Sequence, residues 1–120
     1  MTTRAIILFG HGSRDPLWRQ PIEAVAARLA HAQPDVPVAC AYLEMDRPDL
    51  AAAAARLQAG GARAITIVPM FLGTGKHARE DLPGLVDSLR LAHPETSFTL
   101  KPPVGEDPQL LDLLAKIAMA

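Results

Sequence analysis

Short runs that are apolar throughout alternate along the chain with longer stretches in which apolar residues recur at helical spacing. Residues 5–9 (AIILF) form a β-branched-rich run that stops at Gly10 and reads as a strand. From position 17 to about 32 the period becomes helical, with Trp18, Ile22, Val25, Ala26 and Leu29 on one stripe. Pro21 fits that helix only in its first turn. Residues 36–43 form the second run, entered through Pro34, Asp35 and Pro37. A helix is expected to begin near Pro48, whose missing N–H suits a first helical position, and to stop at Gly60-Gly61.

The same alternation continues. Residues 64–70 (AITIVPM) are the third run, with Pro69 at its end, where the loss of a ladder donor costs least. A third helix is expected between positions 78 and 92, with Leu82, Leu85, Val86 and Leu89 as its stripe and Pro83 in its first turn. Residues 96–100 make a weaker fourth run. A mostly apolar last helix spans about 108–118. Apolar runs separated by crossover helices predict a single α/β domain over residues 1–120: a three-layer sandwich with a four-stranded parallel sheet flanked by helices.

Composition narrows the possibilities. With 120 residues, 49% hydrophobic and 21% charged, the chain can fill one core and is not a disordered segment. Aromatics are 4%, so Ala, Leu, Val and Ile do most of the packing. The net charge of −1, without clustered Lys and Arg, argues against nucleic acid as a partner. The single Cys40 lies inside an apolar run and reads as packing. The N-terminal apolar run is too short for a signal-peptide core, and no window approaches the roughly 18 apolar residues of a membrane span. A cytoplasmic protein is therefore expected.

Ligands of an open parallel sheet bind beyond the carboxyl ends of its strands. Three polar clusters are expected there: residues 10–15 (GHGSRD) after the first run, Glu44 after the second, and residues 71–77 (FLGTGKH) after the third. His11 stands between glycines, which let backbone and ligand approach closely. His77 follows a glycine-bearing loop at the edge of a helix. Imidazole is a ligand for divalent iron, cobalt, nickel and zinc, and its proton exchanges near neutral pH. The residues alone leave a loop or capping role open for each histidine and a solvated role open for Glu44. His31 and His93 fall at helix ends and read as structural.

The glycines do not make a phosphate loop. Residues 10–14 lack the third spaced glycine of a dinucleotide fingerprint, and residues 73–76 lack the full P-loop spacing and a Ser or Thr after Lys76. No Cys-x-x-Cys, His-Glu-x-x-His or Gly-x-Ser-x-Gly element is present. A hydrolase or phosphate-handling enzyme would have to use Ser13, to which the sequence assigns no base.

Residues 8–16 (LFGHGSRDP) resemble the opening motif of the CbiX/SirB family of sirohydrochlorin chelatases. Residues 42–44 (YLE) resemble that family's second element, residues 69–83 (PMFLGTGKHAREDLP) its third, and residues 103–108 (PVGEDP) its closing turn. The resemblance implies a chelatase-like fold and insertion of a divalent metal into a tetrapyrrole, in the cobalamin or sirohaem branch. Cobalt is the first expectation, with iron or nickel after it, and no tightly bound cofactor is expected. Many members carry two such domains in one chain. This chain matches the short form, for which the resemblance implies a homodimer. His11 and His77 match the family's catalytic, metal-binding histidines, and Glu44 matches an assisting acid. Ser13, Arg14, Lys76 and Arg79 are the expected contacts to the carboxylates of sirohydrochlorin. A non-catalytic metal or tetrapyrrole carrier is the alternative built on the same residues.

Overall fold

The structure is a computed structural model that describes residues 3–120. Its elements are β1 (Arg4–Gly10), α1 (Gln20–Ala32), β2 (Val38–Tyr42), α2 (Leu50–Ala59), β3 (Ala64–Pro69), α3 (Lys76–Ala92), β4 (Ser97–Leu100), a 3-10 turn at Val104–Glu106 and α4 (Pro108–Met119). The strands form one parallel sheet in the order β2-β1-β3-β4. The chain moves from β1 outward to β2, then back across β1 to β3. The order of the sheet reverses between β1 and β3, and the loops that follow these two strands diverge there.

Right-handed crossovers put α1 on one face and α2 with α3 on the other. The α2/α3 face holds the main core, in which Ile7, Phe9, Ile65 and Ile67 meet Leu50 and Ala53 of α2 and Leu82, Val86 and Leu89 of α3. The other face holds a smaller cluster of Leu8, Ile22 and Tyr42, with Val25, Ala26, Leu29 and Cys40 packed against it. The strand period of two sends alternate residues of β1 and β3 to these two cores.

Three local expectations change. The second helix starts at Leu50, because Asp49 is the N-cap and its carboxylate accepts from the Ala52 N–H at 2.8 Å. Pro48 lies outside the helix, and its carbonyl accepts from the Tyr42 N–H at 3.0 Å. The third helix starts at Lys76, so Pro83 stands inside it and not in its first turn. The polar opening of that helix, Lys76 to Asp81, has no apolar stripe to announce it. Finally, the sheet is covered on both faces only in part: α1 packs on β1 and β2, while α4 packs against the 3-10 turn and buries no residue.

Candidate functional site

The loop after β1 carries His11, and the loop after β2 carries Glu44. They are tied together by their backbones: the Leu43 N–H donates to Gly10 O at 2.9 Å and the Glu44 N–H to His11 O at 3.0 Å. Gly12 makes this approach possible. Its φ is +104°, and a Cβ there would overlap the Glu44 carbonyl oxygen. The result is a direct side-chain contact, with His11 Nε2 2.9 Å from Glu44 Oε1 and both groups about half exposed. Met45, with φ of 66°, turns the chain immediately after Glu44.

Beneath this contact lies a polar anchor that the sequence did not reveal. The Asp46 side chain is only 8% exposed. Its Oδ2 accepts from the Ser13 N–H at 3.0 Å, and its Oδ1 accepts from Arg19 Nη1 at 3.0 Å. One carboxylate thus fastens the His11 loop and the approach to α1 onto the Glu44 loop. The partners are 33 and 27 residues away in sequence, so no local pattern pointed to them.

His77 occupies the first turn of α3, and its Nε2 is 3.1 Å from Asp81 Oδ2, one helical turn on. The i,i+4 spacing of His77 and Asp81 was visible in the sequence; what hid it was the expected later start of the helix. Each of the two histidines therefore has a carboxylate on its ring nitrogen, and each stands after one of the two central strands. Such a carboxylate fixes the orientation of the ring. The structure does not gather the acids and histidines into a closed metal cage: among the described residues, no group of three His, Cys, Asp or Glu side chains is placed to hold an ion.

The remaining expected residues are distributed around this edge. Arg14 and Lys76 are exposed, and Lys76 faces Glu80 at 3.9 Å. Arg79 donates to Thr74 O at 3.2 Å and lines a groove of about 320 Å³ with Lys101, over a floor that includes Leu82, Pro83 and Leu100. Ser13 Oγ accepts from the Asp15 N–H at 3.1 Å, while His11 is engaged with Glu44, so Ser13 has no paired base for hydrolase chemistry. A broader open groove of about 550 Å³ borders Glu44 and is lined by Arg47 and Arg56, two cations that the motifs did not single out. Only α3 opens directly beside a histidine; α1 begins at Gln20, after an Asx turn in which Asp15 Oδ1 accepts from the Leu17 N–H.

Cys40 and Tyr42 lie on the α1 side of β2. Burial, followed by the charge of Glu23, raises the Cys40 thiol above its ordinary range. Burial first, then Cys40 and Glu23, push Tyr42 up to about 12. Both groups are packing residues, and Trp18 meets the Tyr42 ring edge-on at 6.1 Å between centroids.

Known proteins resemble this chain along most of its length. A sirohydrochlorin cobaltochelatase of Methanococcoides burtonii is 30% identical over 122 residues, covering 95% of this chain and 93% of that protein. One from Saccharolobus solfataricus is 31% identical over 117 residues, covering 92% and 90%. The crystal structure of the CbiX protein of Marinobacter aquaeolei VT8 superposes with a TM-score of 0.84 at 30% identity, covering 97% of this chain and 94% of that one. The sirohydrochlorin chelatase SirB of Bacillus subtilis subspecies spizizenii, in complex with cobalt, gives a TM-score of 0.74 at 26% identity; 94% of this chain matches 48% of that longer one. The CbiX family model matches residues 5–118, and the chain belongs to the CbiX family.

Proposed function

We propose that this protein is a sirohydrochlorin chelatase that inserts a divalent metal into the macrocycle, with cobalt as the first choice and iron or nickel after it, and that it works as a single-domain homodimer. The observation that carries this reading is the pairing of His11 with Glu44 beyond the ends of β1 and β2 and of His77 with Asp81 in the opening turns of α3, which follows β3. The near full-length likeness to sirohydrochlorin cobaltochelatases supports the substrate and the metal.

Insertion has three requirements: the macrocycle is held, the metal is delivered, and two pyrrole protons leave. In this reading neutral His11 and His77 take the incoming cation as substrate and receive the pyrrole protons. Glu44 holds the His11 ring in place, offsets the positive charge that develops on it and passes the proton to solvent, to which both groups are open. Asp81 does the same for His77. An ammonium in place of either ring would repel the cation. Arg14, Lys76 and Arg79 remain the proposed contacts to the substrate carboxylates, with the Ser13 hydroxyl beside them; Arg47 and Arg56 border the Glu44 side of the same edge. Among the described residues no helix is long and apolar enough to cross a membrane.

The test follows the absorbance of anaerobic sirohydrochlorin with purified protein and Co²⁺, Fe²⁺ or Ni²⁺ in turn, against controls without protein. Protein-dependent insertion is expected, fastest with Co²⁺. Binding of the tetrapyrrole with insertion at the background rate for every metal would instead establish a carrier.

A further inference from the structure

Residues 103–108 (PVGEDP) form the one family element to which the proposed reaction gives no task. The 3-10 turn within it touches the loop that leads to His77. The Gly105 N–H donates to Phe71 O at 2.9 Å, and a Cβ on Gly105 would overlap the carbonyl of Leu72. Among the described residues, only Gly12 and Gly105 of the eight glycines stand where a Cβ would overlap a backbone carbonyl. Gly12 lies against the Glu44 loop beside His11, and Gly105 lies against the loop before His77. Unlike Gly12, Gly105 has no left-handed φ, so other residues could adopt its backbone and only the Leu72 carbonyl stands in the way.

The loop between β3 and α3 has few other fixed points. It leaves the sheet firmly: the Met70 N–H donates to Phe9 O at 2.7 Å, and the buried Phe71 ring meets Phe9 edge-on at 6.0 Å between centroids. From Leu72 onward it is open. Leu72 is 66% exposed, Gly73 and Gly75 face open space, and Gly75 at the N-cap offers α3 no capping side chain. The turn that presses on this loop is itself anchored on both sides. The Lys101 N–H before it donates to Ile67 O at 3.0 Å, and Asp107 after it caps α4 by accepting from the Gln109 N–H at 2.8 Å.

We infer that this turn is a brace that sets where α3 begins, and that Gly105 is a positioning residue for His77. The inference rests on the proposed function, in which His11 and His77 take the same cation. Their rings must then be held in register, and each histidine loop has one glycine at which another backbone presses in. A methyl group at Gly105 has to push the Leu72 carbonyl away by more than about 1 Å to reach ordinary contact, and misplacement on the order of 1 Å costs a reacting group about 10²-fold.

The test compares wild type, Gly105→Ala and Asp107→Ala at a temperature at which circular dichroism shows each to be folded. Asp107→Ala removes the cap of α4 and leaves the Gly105–Leu72 contact in place, so it reports a general loosening of the same segment. For Gly105→Ala, kcat for Co²⁺ insertion is expected to fall about 30- to 100-fold with KM for sirohydrochlorin changed less than about 3-fold, whereas Asp107→Ala is expected to stay within about 3-fold of wild type in both. The backbone amide resonance of His77 is expected to shift in Gly105→Ala and not in Asp107→Ala. If Gly105→Ala does not fold, Pro103→Gly, which loosens the turn without adding an atom, replaces it with the same expected split between kcat and KM. An unchanged kcat in Gly105→Ala overturns the inference, as does an equal loss in both variants, which would show a merely structural role. A wild type no faster than a protein-free control rejects the chelatase reading instead; the brace is then judged by the His77 amide alone, a shift keeping it and an unmoved resonance rejecting it.

Discussion

His11 Nε2 lies 2.9 Å from Glu44 Oε1, although 33 residues separate the two in sequence. The contact exists because β1 and β2 are adjacent parallel strands whose following loops share backbone hydrogen bonds. Replacing Glu44 with Gln keeps a hydrogen-bonding group and removes the charge. In the proposed mechanism kcat then falls by about 10²-fold, in the range of a single acid–base group, with little change in KM. Steady-state insertion of Co²⁺ measures this, and an unchanged kcat would remove Glu44 from the reaction.

Gly12 sets the distance between the two loops. Gly12→Ala places a methyl group against the Glu44 carbonyl at a φ of +104°. The expected cost is about 1–3 kcal/mol of stability, measured by urea unfolding, together with a lower insertion rate. A fully stable and active Gly12→Ala protein would mean that the loops separate freely.

Asp46 acts through position. Asp46→Ala deprives the Ser13 N–H and the Arg19 guanidinium of their acceptor and is expected to destabilise the fold by about 1–3 kcal/mol. Turnover falls with it, because the His11 loop loses its anchor. Asp46→Asn should recover part of both. Equal effects of Ala and Asn on stability would show that the charge, and not the hydrogen bond to Ser13, is what matters.

Much of this architecture was legible in the pattern of residues. The strands appeared as apolar runs because both faces of a parallel sheet are apolar, and Gly60-Gly61 ended a helix where a positive φ at Gly61 is needed. That His11, Glu44 and His77 lie beyond the carboxyl ends of β1, β2 and β3 followed from strand-end logic. The rest was hidden for identifiable reasons. The polar opening turns of α3 have no stripe, so the pattern puts Pro83 too early in the helix and hides the His77–Asp81 pair. Pro48 suits a helix start by its missing N–H, whereas its carbonyl serves Tyr42 and Asp49 takes the cap. Asp46 joins residues far apart in sequence, which no periodicity encodes.

Tyr42 predicts an alkaline limb of stability. Its hydroxyl ionises near 10 in an unfolded chain and at about 12 in the folded one, because burial disfavours the phenolate. The unfolded state releases this proton first. The contribution is therefore complete below pH 10 and is lost as the pH rises toward 12. Unfolding midpoints measured from pH 9 to 12 should fall more steeply in wild type than in Tyr42→Phe; parallel curves would contradict the buried phenol.

The central claim is that histidines after the two central strands carry metal insertion, and comparing wild type with His77→Ala tests it most directly. Absorbance of anaerobic sirohydrochlorin with Co²⁺ is followed for both proteins beside a protein-free control. His77 is 84% exposed, so the variant keeps the fold, which circular dichroism verifies. Rapid insertion by wild type and a near-background rate for His77→Ala are the predicted results. A wild type no faster than the control, or a variant as fast as wild type, would contradict the account.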